Sequence, residues 1–197
     1  MPIVVLLAAY LLGSIPTAVI VVRRLGGVDI RILGDGNMGA HNTKAQFGWS
    51  TGILVALIDF AKGALAVWIA RVSGLDLGWQ LLALAFAVVG HDFPVFAHFR
   101  GGQGLATTLG GLLVLANFEM ALGLIIYGLI YLITHNSDLG AGIGTGTGVL
   151  LMTLRGQPLL LVVGSMMVIL IIPAKFLLDR PRREHNITTS YSAHKDR

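Results

Sequence analysis

The chain has 197 residues, of which 55% are hydrophobic and only 12% are charged, and its formal net charge is +4. A soluble globular domain usually carries about twice that charged fraction, so the composition excludes a soluble domain and predicts an integral membrane protein. The chain contains no cysteine, which excludes a disulfide framework and thiolate chemistry.

Seven apolar runs follow one another along the chain, and each is a candidate transmembrane helix. They cover residues 3–22, 52–70, 77–97, 105–116, 118–134, 141–154 and 157–178. The fourth and sixth runs are short for a full crossing, so we expect them to be extended by neighbouring residues, tilted or partly re-entrant. We therefore predict an all-α integral membrane protein of about seven transmembrane helices. It comprises one domain over residues 1–178 and a basic tail over residues 179–197.

The placement of lysine and arginine predicts the orientation of these helices. With the N-terminus outside, the inner loops 23–50 and 98–104 and the C-terminal end hold most of the basic residues, whereas Arg71 and Arg155 lie outside. The positive-inside rule therefore favours an external N-terminus and a cytoplasmic C-terminus. Six helices with both ends inside are the alternative topology.

Glycine occupies every second position of residues 140–148. On a helix this spacing produces rows of small residues, such as Gly140, Gly144 and Gly148, that let a neighbouring helix come close. We interpret the repeat as a close packing surface in preference to a ligand site.

Two polar, glycine-rich segments, residues 29–42 and 90–107, interrupt the apolar pattern. Polar backbone at membrane depth persists only where it packs in protein or lines a wet cavity. Consecutive N–H groups can converge on an oxyanion, particularly where a glycine loop opens into a helix. In the second segment Gly101, Gly102 and Gly104 come directly before an apolar run, which places free amides at the positive end of a helix dipole. Both segments lie inside in the favoured topology, so we predict that they form two halves of one anion-binding pocket.

Several soluble-protein motifs are excluded by context. Residues 34–39 match GxGxxG, but no predicted strand precedes them, and residues 101–104 lack the Gly-Lys-Ser/Thr of a Walker A loop. The six histidines form no HExxH or similar cluster, and none is followed five residues later by aspartate. The first absence predicts no metal site, and the second argues against an acyltransferase that uses a His–Asp acid–base pair. We also predict no cofactor and no nucleic-acid partner.

The order and spacing of the polar motifs resemble those of the bacterial acyl-phosphate:glycerol-3-phosphate acyltransferase family. The resemblance runs from end to end of the chain. The motifs that carry it are Gly13-Ser14-Ile15-Pro16, Asp29-Ile30-Arg31, Gly34-x-Gly36-Asn37-x-Gly39-Ala40-x-Asn42, Asp59-Phe60-x-Lys62-Gly63, Gly90-His91-x-Phe93-Pro94-Val95-Phe96, Phe99-x-Gly101-Gly102-x-Gly104 and Asn186-Ile187.

This resemblance implies a seven-helix protein of the bacterial inner membrane whose site loops face the cytoplasm. It implies transfer of a fatty acyl group from acyl phosphate to the 1-hydroxyl of glycerol 3-phosphate, which yields lysophosphatidic acid. The implied partners are these two substrates and membrane lipids, and no cofactor is implied. Because the phosphate leaving group already activates the donor, the protein is expected to contribute positioning and oxyanion stabilisation.

The pocket argument and the resemblance together nominate two groups of site residues. The candidate catalytic residues are Gly101, Gly102, Gly104, His91 and Asn37. The candidate substrate-binding residues are Gly34, Asp35, Gly36, Gly39, Asn42, Lys44, Arg100, Gln103, Arg183 and Asn186.

The chain departs from the family pattern at positions that would carry charge. Asp35 stands where the family has serine, and Gln103 stands where it has lysine. A family arginine is replaced by Ala45, with Lys44 one position earlier. Phosphate is usually held by lysine or arginine, so we expect Lys44 and Arg183 to be the replacement cations. Two alternatives stay open: a less anionic acceptor, or a non-catalytic protein that binds lipid or acyl phosphate.

Four polar side chains have a structural as well as a functional interpretation. Asp59 and Lys62 are three residues apart in an apolar span, which suits either an ion pair or a functional site. His91 is either a hydrogen-bonded organiser at a helix break or a general base, and Asp35 is either a cap of the following turn or a general base. The organiser and the cap are the favoured interpretations.

Overall fold

The computed structural model describes residues 1–195, except for the side chains of residue 185 and residues 187–195, and this part of the chain is helical. Its α-helices are α1 (Pro2–Gly13), α2 (Thr17–Gly26), α3 (Ala40–Val72), α4 (Leu77–Asp92), α5 (Leu105–Leu115), α6 (Asn117–Thr134), α7 (Ser137–Leu154) and α8 (Leu159–Lys195). Two short 3₁₀ turns, Ile30–Ile32 and Val95–Ala97, lie in the connections. Because α1 and α2 are two halves of one apolar stretch, the described residues form seven helical segments.

The lengths and composition of the helices are those of a membrane protein. Within the described residues, five stretches are long and apolar enough to cross a bilayer: Pro2–Gly26, Ala40–Val72, Leu77–Ala97, Asn117–Thr134 and Leu159–Glu184. Helix α5 has 11 residues. At 1.5 Å per residue it is about 17 Å long, well short of the hydrocarbon core. The prediction of an all-α membrane protein with several apolar helices is confirmed. Of the two runs predicted to be short, the fourth is the short helix α5, whereas the sixth is extended by neighbouring residues to the 18 residues of α7.

The break between α1 and α2 supplies hydrogen-bond partners to a buried ion pair on α3. Proline cannot donate a backbone N–H, so Pro16 ends α1 and leaves nearby carbonyls without helical partners. One of these, Ile15 O, accepts a hydrogen bond from Lys62 Nζ at 2.5 Å. After the break, the Thr17 hydroxyl donates to Asp59 Oδ1 at 2.7 Å. The interruption of the first pass therefore supplies polar partners to an ion pair on α3.

The glycine repeat packs α7 on α6 through one of its two rows. A Cβ at Gly144 would meet the backbone of Gly123 and the side chain of Tyr127, and Gly140 and Gly148 also face α6. Positions 142 and 146, in contrast, have open space around them. The interpretation of the repeat as a packing surface is confirmed for the first row.

Two boundaries differ from the prediction. Residues 40–51, expected in a loop, form the first turns of α3, which kinks at Gly48, where φ is +82°. The last helix does not end at residue 178 but continues through Lys195, while residues 196–197 lie outside the described part. Polar residues lower hydropathy without ending a helix, and ion pairs spaced four apart, such as Arg180 with Glu184, support this extension.

Two sets of polar contacts lie at opposite ends of the helical bundle. At one end Arg31 NH1 donates to Ala97 O at 3.1 Å and so joins the two glycine-rich segments. At the other end Arg71 NH2 donates to Val114 O at 2.8 Å, and Arg155 contacts the start of α6. The two segments therefore share one end of the protein, and the two arginines predicted on the opposite side share the other.

Candidate active site

A cavity of about 410 Å³ lies between the first half of α3, the start of α5 and the connection from α6 to α7. Its wall changes from polar at the end where the glycine-rich segments meet to apolar in the bundle interior. Polar lining residues are Asn37, His41, Lys44, Asp59, His91, Gln103, Ser137 and Asp138. Apolar lining residues include Ile53, Leu57, Phe60, Leu105, Leu109 and Leu124. This shape suits a molecule with a polar head and a long apolar chain.

The first glycine-rich segment is held in shape by its own side chains. Asn42 Nδ2 donates to the carbonyl oxygens of Leu33 and Asn37, both at 3.0 Å. Asn37 Oδ1 accepts from the Gly39 N–H at 3.0 Å, and Asp35 Oδ1 accepts from the Asn37 N–H at the same distance. Asn42 is therefore an internal brace, while Asn37 and Gly39 reach the cavity wall.

Arg31 anchors the base of this segment. Its NH2 and Nε groups donate to the Asp29 carboxylate at 2.6 and 2.9 Å. These hydrogen bonds, with a further one from Arg23, hold the pKa of Asp29 well below its ordinary value, against the opposing effect of partial burial. Asp29 thus stays ionised at neutral pH and keeps Arg31 in place for its bond to the second segment.

The second glycine-rich segment leads into a helix start that faces the cavity. Gly104 caps α5 with φ at +68°, and a Cβ there would meet Val88 and the Asp92 carboxylate. The N–H groups of the first turn have no partner inside the helix, and Leu105 and Ala106 line the cavity. Beside them, Gln103 Nε2 is buried without a hydrogen-bond partner. Helix N-terminal amides and a free amide donor together form an anion-binding surface.

The prediction that Gly102 offers a free amide to a ligand is wrong. Its N–H donates to His91 O at 3.2 Å, and Gly101 and Gly102 are buried against the end of α4 without lining the cavity. A Cβ at Gly102 would collide with His91 Nε2, and one at Gly101 would collide with backbone oxygens of α4. These two glycines permit close packing of the segment, while the amides that face the cavity belong to the α5 start.

A buried ion pair lies beneath the polar end of the cavity. Lys62 Nζ contacts Asp59 Oδ1 at 2.7 Å, and the two side chains are 4% and 2% exposed. His91 Nδ1 lies 3.7 Å from the same oxygen, and both His91 and Asp59 line the cavity. The predicted ion pair is confirmed. The His91 ring sits between this pair and Gly102, which favours the organiser interpretation.

Asp35 pairs with a residue that is distant in sequence. Arg183 NH2 lies 2.8 Å from Asp35 Oδ2, and its guanidinium stacks 4.8 Å from the ring centroid of Phe176. Nearby, Asn186 Nδ2 donates to Arg31 O at 3.2 Å. Helix α8 therefore closes over the first glycine-rich segment. With one oxygen capping a turn and the other in an ion pair, Asp35 fits the capping interpretation.

We expect the Asp35–Arg183 pair to contribute about 1 kcal/mol of coupling, because both side chains are partly buried. The single variants Asp35→Asn and Arg183→Gln and their double variant should therefore lose stability non-additively. The measurement is a double-mutant cycle on unfolding in mixed micelles. The charge exchange Asp35→Arg with Arg183→Asp should regain part of the loss, and strictly additive losses would contradict the pairing.

The structure separates the nominated residues into two groups. Those that line the cavity are Asn37, Gly39, Lys44, His91, Gln103 and Gly104. Those that lie behind or beside its wall are Gly34, Asp35, Gly36, Asn42, Arg100, Gly101, Gly102, Arg183 and Asn186. Arg100 is exposed. The second group shapes the segments, and its members reach a ligand only through that shape.

Two features of the site were missed from sequence. Lys175 Nζ bonds to Asp179 Oδ2 at 2.5 Å and interacts electrostatically with Asp92, whose carboxylate oxygens are buried without hydrogen-bond partners. The available signal was the spacing of four between Lys175 and Asp179 at the end of an apolar run. Tyr127 and Tyr131, which line the cavity from α6, have the same spacing and share one helix face.

Comparison with known proteins identifies similar membrane enzymes. The family model described as glycerol-3-phosphate acyltransferase matches residues 3–182. A curated glycerol-3-phosphate acyltransferase from Thermus thermophilus is 42% identical over 159 residues, covering 78% of this chain and 77% of its own length. Glycerol-3-phosphate acyltransferase 1 from Dehalococcoides mccartyi is 38% identical over 180 residues, covering 88% and 86%.

Two crystal structures have a similar fold. They are the glycerol 3-phosphate form and the lysophosphatidic acid form of PlsY, an integral membrane glycerol 3-phosphate acyltransferase. Their TM-scores are 0.82 and 0.79, and each is 29% identical in sequence and covers 94% of this chain and 93% of its own.

Proposed function

This chain belongs to the glycerol-3-phosphate acyltransferase family, and on that premise we propose that it transfers a fatty acyl group from acyl phosphate to the 1-hydroxyl of glycerol 3-phosphate. It is a multi-pass membrane acyltransferase of phospholipid biosynthesis. The product of the proposed reaction is lysophosphatidic acid, with release of inorganic phosphate.

The observation that carries this proposal is that a polar, anion-binding end and an apolar groove are continuous in a single cavity. The apolar groove is the part of the cavity lined by Ile53, Leu57, Phe60, Leu105, Leu109 and Leu124. An acyl phosphate has both a long apolar chain and an anionic head, and the acceptor is a small anion. The ligands named for the two similar crystal structures, glycerol 3-phosphate and lysophosphatidic acid, are the acceptor and the product of this transfer.

The protein groups in the cavity act by positioning and by donating hydrogen bonds. The acceptor hydroxyl attacks the acyl carbonyl carbon, a new ester C–O bond forms, and the bond between that carbon and the phosphate oxygen breaks. The hydroxyl proton leaves to the departing phosphate or to water. The first-turn amides of α5 and the Gln103 amide donate to oxygens that carry negative charge during this step, and no protein nucleophile is needed.

The altered charges of the site remain compatible with an anionic acceptor. Asp35 adds no net negative charge, because Arg183 neutralises it. Gln103 Nε2 and the α5 start supply neutral donors where the family pattern has a lysine. A less anionic acceptor was suggested by the missing cations and by the negative charge of Asp35. The ion pair with Arg183 removes the second of these reasons.

In this proposal the cavity opens to the cytoplasm from the bacterial inner membrane. The support is that both glycine-rich segments and the end of α8 gather at the polar end of the cavity. Together with the adjoining Arg23, Arg24 and Lys44, these regions hold most of the lysines and arginines. The positive-inside rule assigns that end to the cytoplasm.

The direct test is phosphate release from palmitoyl phosphate by the purified protein in lipid mesophase, with and without glycerol 3-phosphate. We expect release that depends on the acceptor, with formation of lysophosphatidic acid in equal amount. A folded wild-type protein that releases no phosphate above background with this acceptor would refute the proposal.

A further inference from the structure

Lys44 occupies a distinctive place in the cavity. Among the described residues that line it, Lys44 is the one lysine or arginine. Its Nζ donates to Tyr131 Oη at 2.7 Å and lies 4.6 and 5.2 Å from the ring centroids of Trp49 and Tyr131. Trp49 and Tyr131 also meet edge to face, with their centroids 6.0 Å apart. We call Lys44, Trp49 and Tyr131 the aromatic clasp.

The helical position of Lys44 directs its charge away from the first glycine-rich segment. Asn42 faces that segment, since its amide bonds to Leu33 O and Asn37 O. A turn of about 100° per residue places position 44 about 200° from Asn42, on the far side of the helix. Position 45 returns to within about 60° of Asn42, so a cation there would lie close to the segment. Compared with a cation at position 45, where the family pattern has an arginine, the ammonium group of Lys44 is therefore turned towards α6.

The clasp lies at the end of the apolar groove. Leu124, Tyr127 and Tyr131 follow one another at intervals of three and four residues and line the cavity from one face of α6. That face is aliphatic at Leu124 and ends at the ammonium group of Lys44. A fatty acyl chain that lies along this face brings the group attached to its carboxyl carbon to the clasp. Glycerol 3-phosphate has no acyl chain, so the apolar groove does not direct it to the clasp.

We propose that Lys44, oriented by Tyr131 and Trp49, binds the phosphate of the acyl-phosphate donor, and that Tyr131 is a positioning residue that acts through Lys44. The proposal rests on the proposed function, because it takes acyl phosphate as the donor. An ammonium group has three N–H donors, and Tyr131 engages one, so two are available to phosphate oxygens. The two aromatic faces stabilise the cation and restrict its rotamers.

The test is binding without turnover. Hexadecyl phosphate has the donor's chain and phosphate but no acyl carbonyl, and glycerol 3-phosphate represents the acceptor. In detergent micelles, Lys44→Gln should weaken hexadecyl phosphate binding by about tenfold or more, the loss expected for a charge-assisted hydrogen bond. The same variant should leave glycerol 3-phosphate binding within about twofold of wild type.

Two further variants separate a positioning role from a purely structural one. Tyr131→Phe keeps the ring but removes the hydroxyl, and it should weaken hexadecyl phosphate binding by about threefold. Lys44→Arg keeps the charge and should restore binding to within about threefold of wild type. Salt should weaken wild-type binding of hexadecyl phosphate more steeply than binding by Lys44→Gln.

Three outcomes for Lys44→Gln overturn the proposal: selective loss of glycerol 3-phosphate binding, equal loss of both ligands, or unchanged binding of both. If Lys44→Gln fails to fold, the same comparison is made with Tyr131→Phe, where equal effects on the two ligands overturn it. Failure of the proposed function is seen separately, as a wild-type protein that binds hexadecyl phosphate but releases no phosphate from palmitoyl phosphate.

Discussion

Replacement of Gly102 by leucine is expected to abolish acceptor-dependent phosphate release from palmitoyl phosphate. A side chain at this position collides with His91 Nε2, so either the His91 ring or the glycine-rich segment must move. His91 lies beside Asp59, and the segment leads into the cavity-lining start of α5. Whichever of the two moves, a wall of the polar end shifts. Because misplacement by about 1 Å costs on the order of a hundredfold in rate, we expect at least that loss.

The matched control is Gly146→Leu on α7, where a Cβ meets no atom within 4 Å. It adds the same side chain without touching the cavity and should retain wild-type activity. Gly102→Ala should fall between the two, since its single methyl group still meets His91. A Gly102→Leu protein that melts like the control and turns over at the wild-type rate would contradict the assigned role of this packing.

Removal of one partner of the Asp59–Lys62 ion pair is expected to cause the largest loss of stability. Both side chains are almost fully buried, so Lys62→Met leaves a carboxylate without its countercharge in the bundle interior. Breaking such a pair costs about 3–5 kcal/mol, because the remaining charge stays desolvated and unpaired. The measurement is the unfolding free energy in mixed micelles at increasing denaturant.

The double variant Asp59→Leu with Lys62→Met should be more stable than either single variant. It leaves no unpaired charge, and apolar replacement of a whole buried pair is often neutral or stabilising. Thr17 and Ile15 O lose a partner in the double variant, so recovery should be partial. Single variants that unfold within about 1 kcal/mol of wild type would show that the pair is solvated in the native protein.

These two predictions concern two parts of one site, the cavity wall at Gly102 and the ion pair beneath it. Gly102 acts through the shape of the cavity wall, whereas Asp59 and Lys62 hold α3 against the broken first pass. His91 touches both layers, since its ring lies near Asp59 and its carbonyl accepts the Gly102 N–H. We therefore expect activity to be more sensitive to Gly102, and stability to be more sensitive to the ion pair.

Much of the architecture follows from the sequence alone, because it depends on local patterns. Apolar runs predict membrane helices wherever they occur, since lipid leaves few alternatives for the backbone. The glycines before Leu105 predict a helix start without knowledge of their neighbours. The break at Pro16 was not predicted, because residues 3–22 read as one continuous apolar run. The glycine repeat at 140–148 predicts close helix packing for the same reason. The helical continuation beyond residue 178 was not predictable from hydropathy, because polar residues are equally compatible with a helix or a loop.

The sequence by itself therefore determined that the chain is built of membrane helices and that two glycine-rich segments interrupt them. Only the tertiary structure decided which remaining cations reach the cavity. Arg183 forms an ion pair with Asp35, 148 positions away, and does not line the cavity. Lys44 lines the cavity, where it donates a hydrogen bond to Tyr131 on another helix. It also decided that the Gly102 amide bonds to His91 O. Hydropathy and turn propensity act over a few residues, but the direction of a charged side chain depends on helix rotation and on partners distant in sequence.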